Sequence, residues 1–177
     1  MPRLWQHSDT IMLKLSPMAD ISLLERKLEG LCEVHIVSSG GECKELLCIL
    51  RKGWEGDCRI IAAELSSGET VDLGARPDPV TRAPLCGPVR PGDLLLEPMP
   101  VLLKAGMDAV ICSRWQLRQL DTNTHLFIAD GTCPSEDLPG SMFRIFTVEE
   151  TLPFCKESIR NLGKKHPMAD VSARNIP

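Results

Sequence analysis

The sequence predicts an α+β fold, with a mainly antiparallel sheet or partly open β-barrel and one helix near each end of the chain. Three observations lead there. Apolar residues recur in strand-sized runs bounded by Gly, Pro, Asn or Asp. Helical spacing shows after Ser16 and again after Glu150. The richest apolar stretch, Asp93 to Asp130, divides into three strand-sized runs and supplies the centre of a core.

Thr10 to Leu15 sets Ile11, Leu13 and Leu15 on one side and Met12 and Lys14 on the other, a half-exposed strand. Ser16 with Pro17, or Asp20, opens a helix, because these side chains cap free N–H groups and Pro suits the first turn. Ile21, Leu24 and Leu28 share its face, and Gly30 provides a left-handed stop. Leu31 to Val37 alternates again. Ser38-Ser39-Gly40-Gly41-Glu42 is a loop by composition, and Leu46 to Leu50 returns as the second arm of a hairpin. Residues 59–65 and 70–73, joined by Ser66-Ser67-Gly68-Glu69, make the clearest hairpin in the chain.

Five prolines between 75 and 92 remove backbone donors and exclude regular structure there. This stretch is expected to be an ordered loop that buries Leu85, Cys86 and Val89. In the central stretch, Pro98 and Pro100 imply a kink or an edge position. Ala109 to Ile111 reads as a strand continued by Trp115, Leu117 and Leu120, and Leu126 to Ala129 as its return. Met142 to Val148 alternates as a further strand. Thr151 or Glu150 starts a last helix, with Pro153 in its first turn, Phe154, Ile159 and Leu162 inward, and Gly163 at its end. The expected organisation is a single domain over 1–163, with an internal Pro-rich loop at 75–92 and a flexible tail at 164–177. Pro17-Met18-Ala19-Asp20 recurs as Pro167-Met168-Ala169-Asp170, but the similarity ends on both sides and implies no repeat architecture.

Composition narrows the function classes. Of 177 residues, 43% are hydrophobic and 25% charged, the balance of a folded soluble domain. A net charge of −4 argues against a chain built to coat nucleic acid. No apolar run approaches the roughly 20 residues of a membrane span, and the N-terminus carries no secretory pattern. A cytoplasmic or nuclear location is therefore expected. The eight cysteines, scattered and mostly among apolar neighbours as in Leu47-Cys48-Ile49, are expected to be reduced small hydrophobes.

Candidate sites are sparse. A structural zinc site needs closely spaced thiol pairs. Cys43 and Cys48 are the nearest approach and no second pair follows, so no metal and no cofactor is expected. Cys112, His125 and Asp130 compose a nucleophile, base and orienter on paper, but Ala109-Val110-Ile111 before Cys112 disfavours a thiolate. Ser38-Ser39-Gly40-Gly41 lacks the Gly-Lys-Ser/Thr ending of a phosphate loop. Arg114 and Arg118, with Gln116, share one face of an extended strand while Trp115 points inward. Two arginines on an exposed face can grip carboxylates or phosphates, so Arg114, Arg118 and Trp115 are the candidate binding residues.

The function expected from this balance is a non-catalytic protein-interaction or adaptor module, a subunit of an intracellular complex whose partner is another protein. No membrane partner is expected. Two alternatives stand beside it: a small β-barrel that binds nucleic acid through the arginine face, and a thiol-dependent hydrolase built on Cys112.

Overall fold

A computed structural model describes residues 3–78, 81–129, 138–167 and 169–170. Its first half is a five-stranded mixed sheet of β1 (Thr10–Leu15), β2 (Leu31–Ser39), β3 (Glu42–Arg51), β4 (Arg59–Glu64) and β5 (Glu69–Ala75). The spatial order is β1-β3-β2-β4-β5. Neighbours are antiparallel except β2 and β4, which run parallel because the connection leaving β3 crosses past β2. The central strand β2 is buried along most of its length, with Val34 and Ile36 fully covered, as a strand enclosed on both sides requires. Both expected hairpins form. Gly40 and Gly41 each take positive φ in the β2–β3 turn, the conformation that tight hairpin turns demand.

Between β1 and β2 lies α1 (Ile21–Lys27), capped by the Asp20 carboxylate, which accepts a hydrogen bond from the Leu23 N–H at 3.1 Å. The helix ends at Lys27, short of Gly30. That glycine has φ 78°, and its carbonyl accepts the Arg51 N–H at 2.8 Å, locking the start of β2 to the end of β3.

The second half is an antiparallel sheet of β6 (Leu94–Pro98), β7 (Arg118–Gln119), β8 (Phe127–Ala129) and β9 (Phe143–Thr147), ordered β7-β8-β6-β9. Neither sheet closes, so the architecture is an open α+β fold rather than a barrel. Two further helices, α2 (Pro100–Ala105) and α3 (Asp108–Trp115), sit between β6 and β7 where the sequence suggested strand. Ala109 to Ile111 is thus helical, a correction with a local cause. Pro100 occupies the first turn of α2, where a missing N–H costs nothing, and Gly106 at φ 61° ends it. Apolar runs this short fit strand and helix equally well until a layer is available to cover them. Pro98 also departs from expectation, because it closes β6, an interior strand, instead of marking an edge.

The two halves share one core. Val101, Leu102 and Ala105 of α2 and Ile111 and Cys112 of α3 join Ile36, Leu46 and Leu50 of the first sheet and Leu96 and Phe127 of the second. The Pro-rich segment runs beside β7. Gln119 N–H donates to the Pro84 carbonyl at 2.8 Å and Cys86 N–H to the Gln119 carbonyl at 2.9 Å. Cys86 and Val89 are half-buried but Leu85 is exposed, so backbone pairing holds this segment more than burial of Leu85 does.

The strand expected over Met142 to Val148 forms as β9, in which only Phe143 is buried, whereas the expectation for the last helix needs correction. The last helix, α4 (Lys156–Lys165), starts at Cys155 rather than at Glu150 or Thr151, contains Gly163, and buries no residue. Phe154, Ile159 and Leu162, expected inward, are exposed, Phe154 at 90%. Apolar spacing identifies which face a helix would bury but says nothing about whether a neighbour is there. No helix among the described residues is long and apolar enough to cross a membrane.

Candidate functional site

A cleft of about 920 Å³ lies where the two halves meet, between the end of β5, the α2–α3 joint and β7. Arg76, which follows β5, lines it. Its Nε contacts Glu25 Oε2 at 3.1 Å and its Nη1 donates to the Ala105 and Gly106 carbonyls at 3.0 and 3.2 Å. The guanidinium therefore satisfies the unpaired carbonyls that end α2 while tying α1 to that helix.

Across the cleft, Asp108 sits in the first turn of α3, where a carboxylate is favoured by the helix dipole. Its Oδ2 accepts His125 Nδ1 at 2.9 Å and Gln119 Nε2 at 3.4 Å, and Gln119 Nε2 also donates to the Thr124 carbonyl. A carboxylate oxygen accepts, so Nδ1 is the donor in this contact. Such a pair can orient or receive a proton at a solvent-facing nitrogen.

No activated nucleophile joins it. Cys112 lies one helical turn beyond Asp108, 1% exposed, and its thiol is pushed up to about 12 by burial and then by the Asp108 charge. The sequence paired His125 with Asp130, which lies outside the described residues; the described partner is Asp108, reached because α3 folds back over β7. Had Ala109 to Ile111 been read as helix, Asp108 and Cys112 would have fallen on one face.

The arginine face is arranged differently from the expected strand. Arg114, Gln116 and Arg118 are exposed and Trp115 and Leu117 buried, as the alternation implied. The backbone passes from α3 through Gln116 at φ 53° into β7, however, so Arg114 and Arg118 occupy separate elements. Arg114 Nη1 donates to the Asp72 carbonyl at 2.8 Å, and its guanidinium lies 5.6 Å from the Trp115 ring centroid. Trp115 packs edge-on against Phe143 at 5.2 Å. Arg114 thus braces α3 against the first sheet, while Arg118 projects from the exposed side of β7 beside Gln119 of the cleft.

The glycine loop after β2 serves an internal anion. Glu64, 4% exposed, accepts the Ser38 hydroxyl at 2.7 Å and the N–H groups of Gly40 and Ser66 at 3.1 and 3.0 Å. The Ser38 hydroxyl in particular holds this carboxyl below the usual range.

The seven described cysteines are free thiols, and among the described residues no three His, Cys, Asp or Glu side chains converge to hold a metal. One cysteine differs from the rest. Cys155 caps α4, is exposed, and its thiol is lowered by hydrogen bonds from Ser158. Nothing in the chain around Cys155 singles it out, because local signals put the helix start upstream at Glu150 or Thr151.

Comparison with known proteins now adds two likenesses. Residues 94–135 match the model of a family described as a ferredoxin-like domain, a span that takes in β6, α2, α3, β7 and β8. The whole chain resembles a crystal structure from Porphyromonas gingivalis W83 described as a "putative methyltransferase", with 28% identity and a TM-score of 0.80. That likeness covers 99% of this chain but 44% of the other, so the chain spans less than half of its relative's length. No curated protein matches.

Proposed function

We propose that this chain is a non-catalytic interaction unit that works beside the catalytic part of a methyltransferase, holding a partner or substrate in place for it. The observation that carries the reading is the extent of the likeness, nearly all of this chain against less than half of the Porphyromonas gingivalis protein. A unit that occupies part of a methyltransferase without filling it is suited to presentation rather than to the transfer itself. The buried, protonated Cys112 thiol agrees with this, since it offers no ready nucleophile beside the His125–Asp108 pair. The proposed contact surface is the exposed side of β7 around Arg118, next to the cleft.

Isothermal titration with S-adenosylmethionine, the common methyl donor, tests the non-catalytic role. The chain alone is expected to give no saturable heat and to transfer no labelled methyl group to protein or nucleic acid acceptors. Stoichiometric binding accompanied by transfer would overturn the reading.

A further inference from the structure

We infer that the cleft between the two halves binds a guanine nucleotide, free or within a single strand, with its base read by Asp108 and Gln119 and its phosphate held by Arg82. The site stands whether or not the chain serves a methyltransferase. Its lining carries two oxygens that the fold holds in place and leaves without a donor. Gln119 is 7% exposed, and its Nε2 is committed to the Thr124 carbonyl at 2.5 Å and to Asp108 Oδ2 at 3.4 Å. That commitment turns Oε1 away from both, and among the described residues no donor reaches it. No fully buried side-chain oxygen among the described residues lacks a partner, so Oε1 opens onto the cleft that Gln119 lines. Asp108 repeats the arrangement. His125 and Gln119 both donate to its Oδ2, while Oδ1 takes no donor among the described residues and the side chain is 21% exposed. A half-buried acceptor left unpaired forgoes a hydrogen bond that a ligand donor restores.

Two neighbouring acceptors, one of them charged, select a planar group with two adjacent N–H donors. The Watson–Crick edge of guanine presents that pair, a ring N–H beside an exocyclic amine, whereas adenine and cytosine set their amine beside an acceptor. An arginine side chain presents two N–H groups as well, but the rest of the cleft favours the nucleotide. Arg82 lines it, exposed and with no carboxylate partner among the described residues. Arg76 is neutralised by Glu25, and Asp78 has a partner of its own, so Arg82 is the unpaired charge. A guanidinium grips a phosphate through parallel N–H bonds and repels a cationic side chain. Leu85, bridged to Gln119 and 48% exposed, lays apolar surface beside the two acceptors, where a base can rest. A volume of about 920 Å³ is also that of a site for a whole small molecule rather than for one side chain.

Titration calorimetry of the chain with GMP, IMP, AMP, guanosine and free arginine tests the site. GMP is expected to bind saturably, IMP about tenfold more weakly for want of the exocyclic amine, and AMP more weakly still. Arg82→Ala should weaken GMP about tenfold and leave guanosine unchanged, and Asp108→Asn should weaken both. Should Asp108→Asn lower the melting temperature, Arg82→Ala still decides, because that side chain is exposed. A guanine-containing tetranucleotide that displaces GMP makes a strand the source, and one that does not makes it the free nucleotide; both support the site. No saturable heat with GMP overturns it, as does AMP or arginine binding as tightly as GMP, or GMP binding indifferent to Arg82→Ala.

Discussion

Cys112 and Cys155 place the same thiol in opposite surroundings. Cys112 lies on the buried face of α3 with its thiol pushed up to about 12, and burial alone pushes Cys48 up to about 11. Cys155 is exposed at the start of α4, where donors from Ser158 lower it. Thiolate is the reactive form, so native alkylation near neutral pH should label Cys155 first and Cys48 and Cys112 last. Mass spectrometry of a short iodoacetamide time course checks the order, and Cys112 reacting as fast as Cys155 would revive a thiol-enzyme reading. The inert cysteines were legible because their chain neighbours are apolar. The reactive one was not, because its character comes from a helix start that the sequence left uncertain. The partner of His125 shows the same limit. Asp130 is near in sequence, but the described hydrogen bond goes to Asp108, 17 positions away, since tertiary contacts choose partners by distance in space.

At the scale of elements, the hairpins and α1 were readable because their signals are local. Gly30 illustrates both what such a signal carries and what it lacks. The sequence identified it as a helix stop, whereas its main task is to bring the start of β2 against β3. A Cβ there would stand 2.5 Å from the Arg51 carbonyl oxygen, at a φ that L side chains rarely adopt. Gly30→Ala should therefore destabilise the fold by more than about 1 kcal/mol, measured as a shift in the urea midpoint. An unchanged midpoint would mean that the β2–β3 closure yields easily. The helices α2 and α3 were misread as strand because Val101-Leu102-Leu103 and Ala109-Val110-Ile111 have no alternation of their own. Only the layer above them assigns a face to each side chain, burying Val101 and Leu102 while leaving Leu103 exposed.

For the whole molecule, α2 is the joint. It leaves the second sheet at β6, packs against β2, β3 and β4 of the first, and Leu102 is fully buried there. Leu102→Ala should cost about 2–5 kcal/mol through lost burial and the residual cavity. Because both sheets share that core, tryptophan fluorescence and circular dichroism should still report one coincident transition. Two separated transitions would show that the halves hold together independently. This joint also frames the cleft, so Arg76, Asp108 and Gln119 meet only once both halves are packed.

By itself the sequence determined the fold class, most strand positions, Asp20 as one of two candidate starts for α1, and the alternation that buries Trp115 and exposes Arg118. These depend on periodicity and turn chemistry, which act between residues a few positions apart. The tertiary structure decided the parallel pairing of β2 with β4, the helical state of 108–115, the pairing of Asp108 with His125, and the exposure of Phe154, Ile159 and Leu162. Each of those turns on which distant segment lies alongside, and a local apolar pattern states that a surface must be covered without stating by what.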